Sequence, residues 1–102
     1  MKLNVLFLGV LKYTDKKTQE SKLRISYVVN DVNAKQDTTK FKGLNECSFY
    51  TDKVDIFDKF VKEDSLTSME FILENRPSQN NPLKTITQVS EIRTKRDNIK
   101  LV

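Results

Sequence analysis

No histidine and no tryptophan occur in this chain, and cysteine occurs once, at Cys47. Without histidine, the commonest general base and the commonest zinc ligand are both missing. A single cysteine excludes an intramolecular disulfide and a cysteine-built metal cluster. Glycine is nearly as scarce. Gly9 and Gly43 lie far apart and neither opens a helix, so there is no Gly-rich loop to cradle a phosphate. No apolar run approaches the roughly 20 residues that cross a bilayer. The opening "MKLNVLFLGVLKYT" has neither the length nor the small-residue cleavage site of a secretory signal. These absences argue against an enzyme and lead to the expectation of a soluble, cytoplasmic protein without metal or cofactor.

Charge is what the chain has in quantity. Of its 102 residues 31% are charged and 37% hydrophobic, which suits one compact domain with a small core under an ionised surface. The formal charge of +4 is unevenly spread. Residues 1 to 51 hold nine basic and five acidic side chains, residues 52 to 75 three and seven, and residues 76 to 102 six and two. Such segregation predicts a positive face and an acidic one, the footprint of a nucleic-acid binder; an unevenly charged solvated surface is the plainer alternative.

"KLNVLFLGVLKYT" is apolar on both parities, with Leu3, Val5, Phe7 and Leu11 on one and Leu6, Leu8 and Val10 on the other. A long strand covered on both sides reads this way, and Gly9 marks a bulge or bend within it. "KLRISYVVND" alternates, with Leu23, Ile25, Tyr27 and Val29 facing one way and Lys22, Arg24, Ser26 and Val28 the other, as in a half-buried strand antiparallel to the first. "DVNAKQDTTKFKGLNE" is rich in turn formers and reads as a long loop or ragged strand. "ECSFYT" is a third strand. In "TDKVDIFDKFVKED" the period changes: Val54, Ile56, Phe57, Phe60 and Val61 form a stripe at helical spacing, with Thr51 or Asp52 placed to cap its start. "SLTSMEFILEN" and "LKTITQVSEI" supply two further strands around the turn-forming "RPSQNNP". The basic "RTKRDNIKLV" is a mobile tail or a final edge strand. Three strands, one α-helix and two strands is the order of an OB-fold, a five-stranded, partly open Greek-key barrel; an SH3-like barrel or an α+β sandwich gives similar strings. Residues 1–92 would form this domain and residues 93–102 the tail or edge strand.

A serine or cysteine nucleophile would find no histidine base here. Asp52, Asp55 and Asp58 share a helical side, but their spacing fits no familiar ligand loop, and a solvated face explains them better. Single-stranded nucleic acid asks for less: cations that follow the phosphates and flat rings that stack on bases. Lys12, Lys16, Lys17, Lys22 and Arg24 surround the first hairpin, Lys40 and Lys42 flank Phe41, and Arg76 and Lys84 flank the proline-bounded loop. Tyr13, Phe41 and Tyr50 escape the core pattern and are the stacking candidates, whereas Tyr27 and Phe49 share parity with core positions. The phosphate-contacting candidates are Lys16, Lys17, Lys22, Arg24, Lys42, Arg76 and Lys84. Hairpin lysines that serve only solubility are the duller reading of Lys16 and Lys17.

The element order, the long "KLNVLFLGVLKYT" strand with its "SKLRISYVV" partner, the helix after "CSFYT" and the "RPSQNNP" loop together resemble the small OB-fold single-stranded DNA-binding proteins of phages, plasmids and other mobile elements. The resemblance is architectural and covers about residues 2 to 92. It implies sequence-independent binding of single-stranded DNA, or of RNA, in replication or transfer, by a homo-oligomer such as a dimer. One departure lies at the end of the chain, where cellular members carry an acidic tip and this one reads "RTKRDNIKLV". The alternative is a small phage or plasmid accessory protein that binds another protein through a strand edge or its acidic helix.

Overall fold

The computed structural model describes residues 1–29, 35–37, 42–44 and 46–101. Nearly all of its regular structure is extended. β1 (Lys2–Thr14), β2 (Ser21–Val29), β5 (Glu46–Thr51), β6 (Ser68–Pro77), β7 (Thr85–Arg93) and β8 (Asn98–Lys100) form one sheet in the order β5-β2-β1-β6-β7-β8. Every pairing in it is antiparallel. The short β3 (Lys35–Asp37) and β4 (Lys42–Leu44) pair with each other, so the expected ragged loop contains a small hairpin of its own. The basic C-terminal stretch supplies the edge strand β8, whose Ile99 is fully buried. Among the described residues the sheet is not closed. Six strands with two free edges, β5 and β8, stand where five strands in a barrel were expected.

β1 carries the architecture because it has partners on both sides. Its first half pairs with β6 from Lys2↔Ile72 to Leu6↔Ser68, while from Val5 to Thr14 it follows β2. Phe7 lies opposite Tyr27 and Gly9 opposite Ser26, which leaves Leu8 as an extra residue and makes a bulge at the place that Gly9 suggested. The bulge inverts the side-chain alternation beyond it. Val5 and Phe7 point into the core, but past the bulge Val10 takes that role and Leu11 turns outward to 50% exposure. Leu11 was expected on one parity with Leu3, Val5 and Phe7 in a strand covered on both sides; the one-residue slip puts it on the other face, open to solvent. Where β6 stops, the preceding segment takes over its pairing. The Phe7 N–H donates to the Thr67 carbonyl at 2.9 Å, the Leu66 N–H to the Phe7 carbonyl at 2.7 Å, and the Ser65 hydroxyl to the Leu8 carbonyl at 3.0 Å.

The core comprises Val5, Phe7, Leu23, Ile25, Met69, Phe71, Ile92 and Ile99 from the strands and Ile56 and Phe60 from the connection between β5 and β6. Each fully buried aliphatic or aromatic side chain contributes about 1.5–3 kcal/mol relative to exposure. Tyr27 and Phe49 lie against Phe71, with ring centroids 5.0 and 5.6 Å from it, so both belong to the core side. Burial, and secondarily Cys47 nearby, hold the Tyr27 phenol above its ordinary pKa.

The expected α-helix is instead two 3-10 turns, η1 (Val54–Lys59) and η2 (Lys62–Asp64). Val54, Phe57 and Phe60 recur every third residue, a spacing that satisfies three residues per turn as well as 3.6. Three β-branched residues, Val54, Ile56 and Val61, further weaken the α-helical choice. Phe60 stacks on Phe7 at 5.2 Å and Ile56 is buried, while Phe57 is half-buried and Val61 turns to solvent. Neither Thr51 nor Asp52 caps η1. Lys53 occupies the capping position, and the Thr51 hydroxyl accepts from the Lys53 N–H at 3.2 Å. η2 is secured by the buried Asp64, whose carboxylate accepts from the Val61 N–H at 2.8 Å and pairs with Arg96. β6 also runs further than its sequence suggested, through Arg76 to Pro77, where a proline is tolerated because the strand ends.

Among the described residues no helix is long and apolar enough to cross a membrane.

Candidate functional site

Three strands meet at the solvent-facing side of the β5–β2–β1 half of the sheet. Register sets Leu11 opposite Arg24 and Arg24 opposite Tyr50, which makes a continuous row across β1, β2 and β5. All three side chains are exposed, Tyr50 to 60%. The next position on β1, two residues on, brings Tyr13 opposite Lys22. Tyr13 and Tyr50 then touch edge to face, their centroids 6.2 Å apart and their planes at 79°. A guanidinium thus lies between an aliphatic side chain and a tyrosine, beside a second tyrosine, on a pleated surface open to water. Such a face can offer rings to bases and a planar cation to a phosphate or a base edge.

The hairpin joining β1 to β2 rims this face. Gln19 adopts a positive φ of 60°, and its N–H donates to the Asp15 carbonyl at 2.8 Å, closing the turn. The Asp15 carboxylate accepts from the Lys17 N–H at 2.8 Å and lies 3.6 Å from the Lys22 ammonium. The Lys17 amide foremost, with Lys22 contributing, holds the Asp15 carboxyl below the usual carboxylate range. Lys22 is therefore partly neutralised. Lys16, Lys17, Arg24 and Lys84 form no ion pair among the described residues. Lys12 points the other way, its ammonium 5.9 Å from the centroid of Phe57 on η1.

The remaining candidates divide. Arg76 and Lys84 lie on the β6–β7 hairpin, Arg76 opposite Ile86 and ion-paired with Glu74. No hydrogen bond or ion pair joins either to the Tyr13–Arg24–Tyr50 surface among the described residues. Phe41 lies outside the described residues, and of Lys42 only the backbone, within β4, is described. Of the basic C-terminal stretch, Arg93 bonds Glu91 at 2.9 Å and Glu70 at 3.2 Å and Arg96 pairs with Asp64, whereas Lys95 and Lys100 form no ion pair among the described residues. Asp52, Asp55 and Asp58 are exposed, and among the described residues no acidic, cysteine or histidine cluster could hold a metal ion.

Leu11 was missed as part of this surface. Its signal was present in the bulge at Gly9, since an inserted residue on β1 shifts Leu11 off the face of Val5 and Phe7 and leaves it on the face of Tyr13, two residues on. No family model, curated protein or solved structure matches this chain.

Proposed function

We propose that the chain binds single-stranded DNA without catalysis, across the outer face of β2 and β5. The observation that supports this most is the exposed row Leu11–Arg24–Tyr50 with Tyr13 against Tyr50, in which an uncompensated cation is interleaved with rings. Lys16 and Lys17 stand at the hairpin end of the same face, where a phosphate backbone leaving the rings would pass. The strand arrangement favours the same reading. β6 returns beside β1 after β1, β2 and β5 have been laid side by side, the spatial order of a Greek key. An OB-like barrel is built on this order and uses its second and third strands, here β2 and β5, as the nucleic-acid platform.

Base stacking on exposed rings is tolerant of sequence, and the phosphate contacts are ionic, so binding is expected to be salt-dependent and indifferent to base order. With Lys16, Lys17 and Arg24 each neutralising a phosphate, log affinity should fall by about 2 per log unit of salt. Fluorescence anisotropy with labelled oligo-dT and with duplex DNA at two salt concentrations tests this. Binding of the oligo-dT, weakened by salt and much stronger than that of the duplex, is the expected result. Equal affinity for the duplex, or no salt-dependent binding, would remove the proposal.

A further inference from the structure

A second recognition surface lies at the free edges of the sheet. β5 has a strand neighbour on one side only, and β7 meets β8 only through Glu91, Ile92 and Arg93, which leaves its first half without a partner on that side among the described residues. A cleft of 710 Å³ separates these two edges. It is lined by four consecutive residues of β5, Phe49 to Asp52, and three consecutive residues of β7, Thr87 to Val89. Side chains alternate between the faces of a strand, so a cleft that meets every successive residue meets the strand at its edge, where unpaired backbone N–H and C=O groups stand. Leu3, Tyr27, Leu73 and Leu101 give the cleft an apolar floor. The side-chain amide nitrogen of Gln88, in the wall, is buried and has no hydrogen-bond acceptor.

From these edges we infer that the cleft takes an extended peptide segment of a partner protein, added as a strand between β5 and β7. An extended chain is the ligand whose own alternating donors and acceptors match both edges. Its alternate apolar side chains would enter the floor, and one of its carbonyls would accept from Gln88, whose orphaned donor is costly as it stands. Charge indicates the kind of segment. At the end of the cleft nearest the β1–β2 hairpin lie Glu20, Asp52 and Lys22. Lys22 is held by Asp15, whereas Glu20 and Asp52 form no ion pair among the described residues. Two free carboxylates favour a basic side chain on the segment and disfavour a polyanion. The cleft and the ring-bearing face are thus suited to different ligands, and the inference does not depend on the DNA reading.

The test uses the full chain and a labelled short peptide of alternating valine and threonine with lysine at both ends. Saturable anisotropy is expected, with backbone amide shifts concentrated at residues 49–52 and 87–89. Methylating alternate backbone nitrogens of the peptide should abolish binding. Asp52→Lys, at an exposed position, should weaken it about tenfold, and Gln88→Leu should weaken it independently of peptide charge. The inference is overturned by absence of saturable binding, by equal binding of the methylated peptide, or by shifts confined to Leu11, Arg24 and their neighbours. Oligo-dT that moves the amides of residues 87–89 would assign the cleft to nucleic acid, and self-association that moves residues 49–52 and 87–89 would assign the edges to a second copy; either result also overturns it.

Discussion

The two halves of the sheet set their arginines among different neighbours. On the β6–β7 side, Arg93 lies opposite Glu70 and two residues from Glu91, Lys2 reaches Glu70 at 3.9 Å, and Arg76 is paired with Glu74. On the β5–β2–β1 side, Arg24 lies opposite Leu11 and Tyr50, neither of which can neutralise it. A charged run in a sequence becomes a binding surface only where register withholds a counter-charge. The paired half is a solvated surface with little energetic weight, because exposed ion pairs contribute about 0–1 kcal/mol. The open half retains its field for a ligand.

The sharpest contrast sets the core beneath this face against the face itself. Phe71→Ala, at a fully buried ring that packs on Tyr27 and Phe49, should cost about 3–5 kcal/mol in urea unfolding. Tyr50→Ala, at 60% exposure, should leave stability within about 0.5 kcal/mol. It should nevertheless lose about 1–3 kcal/mol of oligo-dT affinity by anisotropy, the usual contribution of one stacked base. A Tyr50→Ala variant that unfolds early but binds normally would dissolve the distinction.

Exchanging like mutations between the halves comes next in size. Arg24→Glu should reduce oligo-dT affinity and lower its salt slope by about 0.7 or more. Arg93→Gln should leave binding unchanged and cost about 1 kcal/mol of stability or less, since the Arg93 side chain is itself 41% exposed and solvent screens its pairs. Equal losses of affinity in both variants would mean that net charge alone matters.

Lys22 lies between the two classes, because Asp15 occupies it. Asp15→Asn should free this ammonium and raise oligo-dT affinity a few-fold. The same carboxylate gives the hairpin a pH dependence. Its folded pKa is depressed, so its contribution to stability is fully present above the unfolded value, about 3.9. That contribution is lost as pH falls through the folded value. Denaturation midpoints between pH 5 and pH 2, falling more steeply for the natural chain than for Asp15→Asn, would check the sign.

The smallest effect concerns the bulge. A Cβ built at Gly9 meets no atom within 4 Å, and Gly9 needs no positive φ. Gly9→Ala should therefore leave binding unchanged and stability unchanged or raised by up to about 1 kcal/mol in thermal unfolding.

Much of this organisation was legible in the residues because period-two alternation survives in "LRI" and "SMEF", where one face is more buried than the other; it breaks at Ser26 and Val28, expected on the face of Lys22 and Arg24 but buried. The outward course of Arg24 was within reach for the same reason, whereas the contact between Tyr13 and Tyr50 depends on β5 lying beside β2 in this register. The η1 segment was not, since residues spaced by three satisfy both helix types and only packing of Phe60 on Phe7 and of Ile56 in the core selects the tighter one. Closure of the sheet and the pairing of Arg93, Arg96 and Lys22 depend on which strand lies beside which and in what register. No periodicity within a single strand encodes that, and Arg93 and Arg96 therefore looked available when they were already occupied.

Amide chemical-shift mapping of the full chain during titration with oligo-dT tests most directly the claim that the unpaired cation and its flanking rings form the ligand surface. The account predicts shifts concentrated at Leu11, Tyr13, Lys16, Lys17, Arg24 and Tyr50, with residues 70–76 and 91–96 unmoved. Shifts centred on the β6–β7 half, or none at any DNA concentration that the duplex does not also reproduce, would contradict it.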